Sequence, residues 1–124
     1  MHWLGWQSDL SEFYAGIDVL LFNSDWDAFG LTPVEAMSYG RPVVASVVNG
    51  GLKEAIIDDR VGILLGAHKP ASLADAVLRA LSPEGAGIGL NARKRVAAMS
   101  DPEQIAEEVE HLLKGDVNCL DLFQ

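Results

Sequence analysis

Asp27 and Glu35 stand eight positions apart in the stretch SDWDAFGLTPVEAMSYGRPVVAS, residues 24–46. An ionised carboxylate accepts hydrogen bonds from two hydroxyls at once, as from a sugar or a ribose diol. Between the two acids, Phe29-Gly30-Leu31 runs directly into Thr32 and an expected helix start. Backbone N–H groups and a helix dipole there suit an anion, and Gly30 would let a phosphate approach the main chain. A phosphate between polyols is the chemistry of a nucleotide sugar. The same residues also admit a purely structural reading. Thr32-Pro33-Val34-Glu35 fits a capping box, with Thr as cap, Pro at the first helical position and Glu at the third. Asp27 fits a turn, Phe29 a core anchor, and Gly50-Gly51 a tight turn before Glu54 at the next helix start. Spacing alone leaves both readings open.

Other chemistry-bearing residues form no such group. His2, His68 and His111 are scattered, with His111 late in a helical pattern where a cation is favoured, so each is read as structural. GAGIGLN (85–91) lacks the preceding strand and the spacing of a dinucleotide loop, so no cofactor is expected. No Cys/His cluster has metal-ligand spacing, and no residue is assigned a catalytic or metal role.

Positioning the two carboxylates requires a strand that ends just before the loop. Short apolar runs alternate with helical patterns, which points to α/β architecture with a small, mainly parallel sheet covered by helices. The expected strands are HWLGW (2–6), DVLLF (18–22), PVVAS (42–46) and VGILL (61–65), with the second and third buried on both faces. In an open parallel sheet, ligands bind beyond the carboxyl ends of the strands, where NSDWDAFGLT lies after DVLLF. Leu10, Phe13, Tyr14 and Ile17 follow helical spacing after Ser8 as N-cap, and Gly40 closes the helix opened at Thr32. Two more amphipathic helices are expected, one after Ser72 and one after Asp101-Pro102. Residues 82–99 read as a glycine-rich loop that turns helical near Asn91. The tail after Lys114-Gly115 is apolar enough, at Leu120, Leu122 and Phe123, to be expected to dock.

The chain of 124 residues, 49% hydrophobic, suits one domain (1–114) plus the tail (115–124). Its net charge of −9 argues against nucleic acid and anionic membranes as partners. Cys119 is the single cysteine and cannot form an internal disulfide, which fits a reducing cytoplasm. No apolar run approaches the roughly 20 residues of a membrane span, and MHWLGWQSDL lacks the features of a signal peptide.

DAFGLTPVEAMSYGRPVVAS, followed by NGGLKEAIIDDRVGILL, closely resembles the donor-binding domain of retaining GT-B glycosyltransferases of family 4. The shared pattern is an acid, x-F-G, a second acid eight residues after the first, Ala-Met, Gly-(Arg/Lys)-Pro-Val-Val, and Gly-Gly-x-x-Glu. It covers about residues 3–81, and more weakly the rest. The resemblance implies that Glu35 binds ribose hydroxyls and Asp27 the transferred sugar. The amides around Phe29, Gly30, Leu31 and Thr32 would bind diphosphate and sugar, with Gly50 and Gly51 shaping the pocket wall. Asp27 stands where the family usually has Glu, about one methylene longer. Family members also carry an acceptor domain and, before the equivalent of HWLGW, two further strands with a basic pair. The chain is therefore expected to be a truncated donor-binding part, inactive alone, whose partner is a UDP-, GDP- or ADP-sugar. The alternative is a non-catalytic α/β module acting through self-association or partner binding. In a sheet ordered 3-2-1-4-5-6, HWLGW would be strand 3 and DVLLF strand 4. DVLLF would then have an open edge, covered either by HWLGW moving in beside it or, as is favoured, by a second copy in a homodimer.

Overall fold

The computed structural model describes residues 1–66 and 68–114, except for the side chains of 47–49. Three strands, β1 (Leu20–Asp27), β2 (Val43–Gly50) and β3 (Ile63–Leu65), form a parallel sheet in the order β1-β2-β3. Around them run α1 (Ser11–Gly16), α2 (Leu31–Ser38), α3 (Leu52–Ala55), α4 (Pro70–Ala80), α5 (Pro83–Met99) and α6 (Pro102–Lys114). The α/β expectation therefore holds.

Alternation along β2 divides the core in two. Val43 and Ala45 meet Tyr14, Ala36, Met37, Leu52 and Ala92 on one face, whereas Val44 meets Ile63, Ala76, Ala80 and Ile88 on the other. Val43, Val44, Ala45 and Ser46 are all fully buried, as a central parallel strand requires. β1 departs from that expectation. Its residues alternate between half-buried and exposed over Leu20–Ser24, because among the described residues it pairs only with β2 and Leu21 faces outward at 48% exposure.

HWLGW is not a strand. Residues 1–10 are exposed and outside any helix or strand, with Trp3 and Trp6 uncovered. Among the described residues β1 pairs on one side only, with β2, and residues 2–6 do not add to its free edge.

Helix starts differ from expectation in three places. Asp9, not Ser8, takes the Ser11 amide at 2.8 Å ahead of α1, and the Ser11 contacts hold its carboxyl below the usual carboxylate range. α4 starts at Pro70 after Lys69, earlier than Ser72 would place it. α2 starts at Leu31 after Gly30, whose left-handed backbone (φ 83°) has no side chain to cap with. Thr32 thus lies inside the helix, and Glu35 sits past the position a capping box needs.

The glycine-rich stretch is helical from Pro83 onward, not from Asn91. A Cβ on Gly85 would fall 1.7 Å from the Ala80 carbonyl oxygen, and one on Gly89 would fall 2.1 Å from that of Gly40. These glycines let α5 lie backbone-close against the ends of α4 and α2. Their sequence signal as loop formers is overridden by packing.

α6 follows Asp101, which accepts from the Glu103 amide at 3.0 Å, and it buries no residue. The tail from 115 lies outside the described residues. Among those described, no helix is long and apolar enough to cross a membrane.

Candidate functional site

β1 and β2 stay in register to their carboxyl ends, where Asp27 pairs with Gly50. The chain then reverses through Ala28-Phe29-Gly30 into α2. Asp27 is half-buried, and its Oδ1 accepts from the Phe29 amide at 3.0 Å, an Asx turn that closes the reversal. The Gly51 amide donates to the Ala28 carbonyl at 2.9 Å and ties the second crossover to the first.

Glycine is required where these two turns meet. A Cβ on Gly50 (φ 140°) would lie 1.9 Å from the Asp27 carbonyl oxygen, and one on Gly51 would lie 2.7 Å from that of Ala28. One on Gly30 would lie 3.3 Å from Leu52 Cδ1. Asp27, Phe29, Gly30, Gly50 and Gly51 thus form one backbone-lined shelf at the end of the sheet.

Leu31 and Thr32 are exposed at the amino end of α2. Their N–H groups precede the first amide of α2 with a carbonyl partner, that of Val34, which reaches the Gly30 carbonyl at 3.3 Å. Pro33 between them has no N–H. The Phe29 amide is already engaged by Asp27, so the electropositive end consists of Leu31 and Thr32.

Glu35 lies one turn along α2, exposed, and lines an open cleft of about 260 Å³ with Asp9, Ser11, Tyr14 and Ser38. Its Oε2 accepts from the Tyr14 hydroxyl at 2.6 Å. Burial, the hydrogen bond and the charge of Glu35 push the Tyr14 phenol up to about 12, with the Thr32 hydroxyl opposing. Asp27 and Glu35 therefore lie in two neighbouring places, the shelf and the cleft, along one β1–α2 connection.

Spacing gave no hint of a second polar group across the sheet. Ser46, buried on β2, donates to Asn23 Oδ1 on β1. His68, following β3, places Nδ1 2.8 Å from Ser46 Oγ and 2.6 Å from Asn23 Oδ1. Its Nε2 stands 3.1 Å from Asp25 Oδ1, near enough for an ion pair of the imidazolium but off the line of a hydrogen bond. The group ties the middles of β1 and β2 to the segment that follows β3. Among the described residues, no cluster of three or more His, Cys, Asp or Glu is arranged to hold a metal.

The family described as Glycosyl transferases group 1 matches residues 1–98. A D-inositol 3-phosphate glycosyltransferase of Corynebacterium diphtheriae is 35% identical over 118 residues, covering 94% of this chain and 27% of that protein. One from Mycobacteroides abscessus is 37% identical over 91 residues, 73% of this chain and 20% of the relative. The chain thus spans about a fifth to a quarter of the length of these relatives. Among solved structures, the sucrose-phosphate synthase of Thermosynechococcus elongatus superposes with a TM-score of 0.70 at 33% identity, covering 86% of this chain and 27% of that one. Anabaena HepE in complex with UDP-glucose superposes with a TM-score of 0.76 at 27% identity, covering 90% and 31%. The architecture is that of GT-B glycosyltransferases.

Proposed function

The chain belongs to the glycosyl transferases group 1 family, and on that premise we propose that it is the donor-binding part of a family 4 enzyme, holding a nucleotide sugar. The observation that carries this reading is the connection Asp27–Glu35. It sets a carboxylate, a glycine shelf, a helix amino end and a second carboxylate in sequence along one edge. Glu35 would accept from the ribose hydroxyls, the Leu31 and Thr32 amides would face the diphosphate, and Asp27 the sugar, with Gly50 and Gly51 as the wall. The complexes of Anabaena HepE with UDP and with UDP-glucose support UDP as the first base to try, beside GDP and ADP.

Glycosyl transfer needs an acceptor held against the donor and sheltered from water. The shelf and cleft are open, so the isolated chain binds donor without efficient transfer. A single cysteine suits a reducing, cytoplasmic setting. The test is an amide NMR titration with UDP-, GDP- and ADP-sugars. Shifts at Ala28–Glu35 and Gly50–Gly51 with one of them are expected, and no shift with any at millimolar concentration overturns the reading.

The outward edge of β1 favours a second statement, about association. Its backbone groups on that side have no strand partner among the described residues, and the strand carries exposed Leu21 and Trp26 on its opposite faces. A second copy pairing along β1 across a two-fold axis would cover those backbone groups. Light scattering at micromolar concentration is expected to give a dimer mass, and a monomer mass rejects it. In the alternative function, self-association would itself be the role, and a dimer that binds no nucleotide sugar would establish it.

A further inference from the structure

Tyr14 is 3% exposed and ends in a polar group, so its hydroxyl must find a partner in place. It could have met a backbone carbonyl of its own core. Instead it reaches the side chain of Glu35, which lies on another helix and faces solvent. The tyrosine is fixed on every side. Its ring stacks edge-on against Phe13 at 5.2 Å and tilts against Tyr39 at 5.6 Å. Its carbonyl accepts from Arg41 Nε at 2.8 Å, while Arg41 Nη2 donates to the Ala15 carbonyl. Arg41 thus anchors the carboxyl end of α1 to the start of β2. The glutamate has no such support, since an exposed side chain with three rotatable bonds samples many rotamers in water.

We infer that Tyr14 is a positioning residue: it clamps one oxygen of the Glu35 carboxylate, with Arg41 holding Tyr14 from behind, so that Glu35 meets a pair of adjacent ligand hydroxyls already oriented. A carboxylate has about four lone-pair sites, and the Tyr14 bond takes one on Oε2, which leaves Oε1 wholly available. Preorganisation of this kind raises affinity by removing the ordering cost at binding, and it favours a vicinal diol over a single hydroxyl. This inference rests on the proposed role of Glu35 toward ribose.

Tyr14→Phe keeps the ring and its packing and removes the hydroxyl, with its bond to Glu35 and its contact with Thr32. The probes are the nucleoside diphosphate that the chain binds best among UDP, GDP and ADP, and its 2′,3′-dideoxy analogue. The wild type is expected to prefer the diol, and Tyr14→Phe is expected to weaken diol binding about fivefold with little change for the analogue. In the Glu35→Gln background, the same Tyr14→Phe change should have a smaller effect on diol binding, since the charged acceptor is gone. A readout without ligand accompanies these. The buried Tyr14 hydroxyl proton is expected as a separate downfield NMR signal that moves upfield in Glu35→Gln. If the wild type does not distinguish diol from analogue, the ribose role of Glu35 fails and this inference fails with it. If it does distinguish them but Tyr14→Phe keeps the full preference, the ribose role stands and the clamp is wrong. A Tyr14 hydroxyl signal that is unmoved by Glu35→Gln also overturns the clamp.

Discussion

Two glycine pairs bring backbones together in this fold, and they do so for different ends. Gly50 and Gly51 press against Asp27 and Ala28 at the exposed end of the sheet, whereas Gly85 and Gly89 press α5 against the ends of α4 and α2 in the interior. In both pairs backbone occupies the place of the missing side chains. In the first the gain is a tight reversal that borders solvent, and in the second it is core contact for Ile88, Ala92 and Val96. Close approach is therefore a shared device, and only its position relative to solvent separates a binding surface from a packing seam.

The comparison can be broken by adding one methyl group at a time. Gly89→Ala drives a Cβ into the Gly40 carbonyl and forces two helices apart, so unfolding free energy by urea denaturation should fall by about 3 kcal/mol. Gly50→Ala meets the Asp27 carbonyl at a backbone angle that disfavours any side chain, but the shelf borders solvent and relaxes more easily. Its cost should be about 2 kcal/mol, with amide shifts confined to residues near Asp27 and Gly50. A cost at Gly50 larger than at Gly89 would reverse the assignment of shelf and seam.

Glu35→Ala touches neither glycine pair and leaves the buried Tyr14 hydroxyl without its acceptor, for a loss of about 1 kcal/mol. Tyr14 also gives the wild type a pH signature. Its folded phenol ionises near 12 against an ordinary 10.0, so the unfolded chain releases the proton first as pH rises. This contribution to stability is intact below about pH 10 and is lost as pH rises toward about 12, and Tyr14→Phe should remove that part of the alkaline decline in thermal melts. The smallest effect has the opposite sign. Gly87 lies in α5 between the two packing glycines, with open space where its Cβ would be, so Gly87→Ala should stabilise by about 0.5 to 1 kcal/mol.

Where a local pattern and the burial it predicts agree, the sequence was readable. PVVAS and VGILL lie where strands form, and Asp101-Pro102 opens α6. The reversal from β1 into α2 was readable in part, since Gly30 marks it, but residues 23–27, expected beyond the strand DVLLF, continue β1 to Asp27. HWLGW misled because strand propensity is context-dependent: β1 keeps a free edge, yet residues 2–6 stay exposed and unpaired. Gly85 and Gly89 misled because glycine signals both loops and close packing, and only the position of Gly40 and Ala80 decides between them. Thr32 and Glu35 have capping-box spacing, yet Gly30 takes the cap and Tyr14 takes the glutamate. The polar clamp of Asn23, Ser46 and His68 left no pattern, since its members come from three segments far apart in the chain.

The parallel register of β1 on β2, Leu20 with Val43 through Asp27 with Gly50, has a kinetic consequence. Every contact given for the shelf and the cleft falls within residues 9–52, so closing one β-α-β loop of a few tens of residues, a cost that grows only slowly with length, brings them all together. The later segments supply the helical cover of α4 and α5 but no part of that surface. During synthesis from the amino end, every residue of the recognition edge thus emerges before its helical cover has been made, and unfolding of α5 alone would uncover Ala36 and Met37 on the core side of α2, behind that edge.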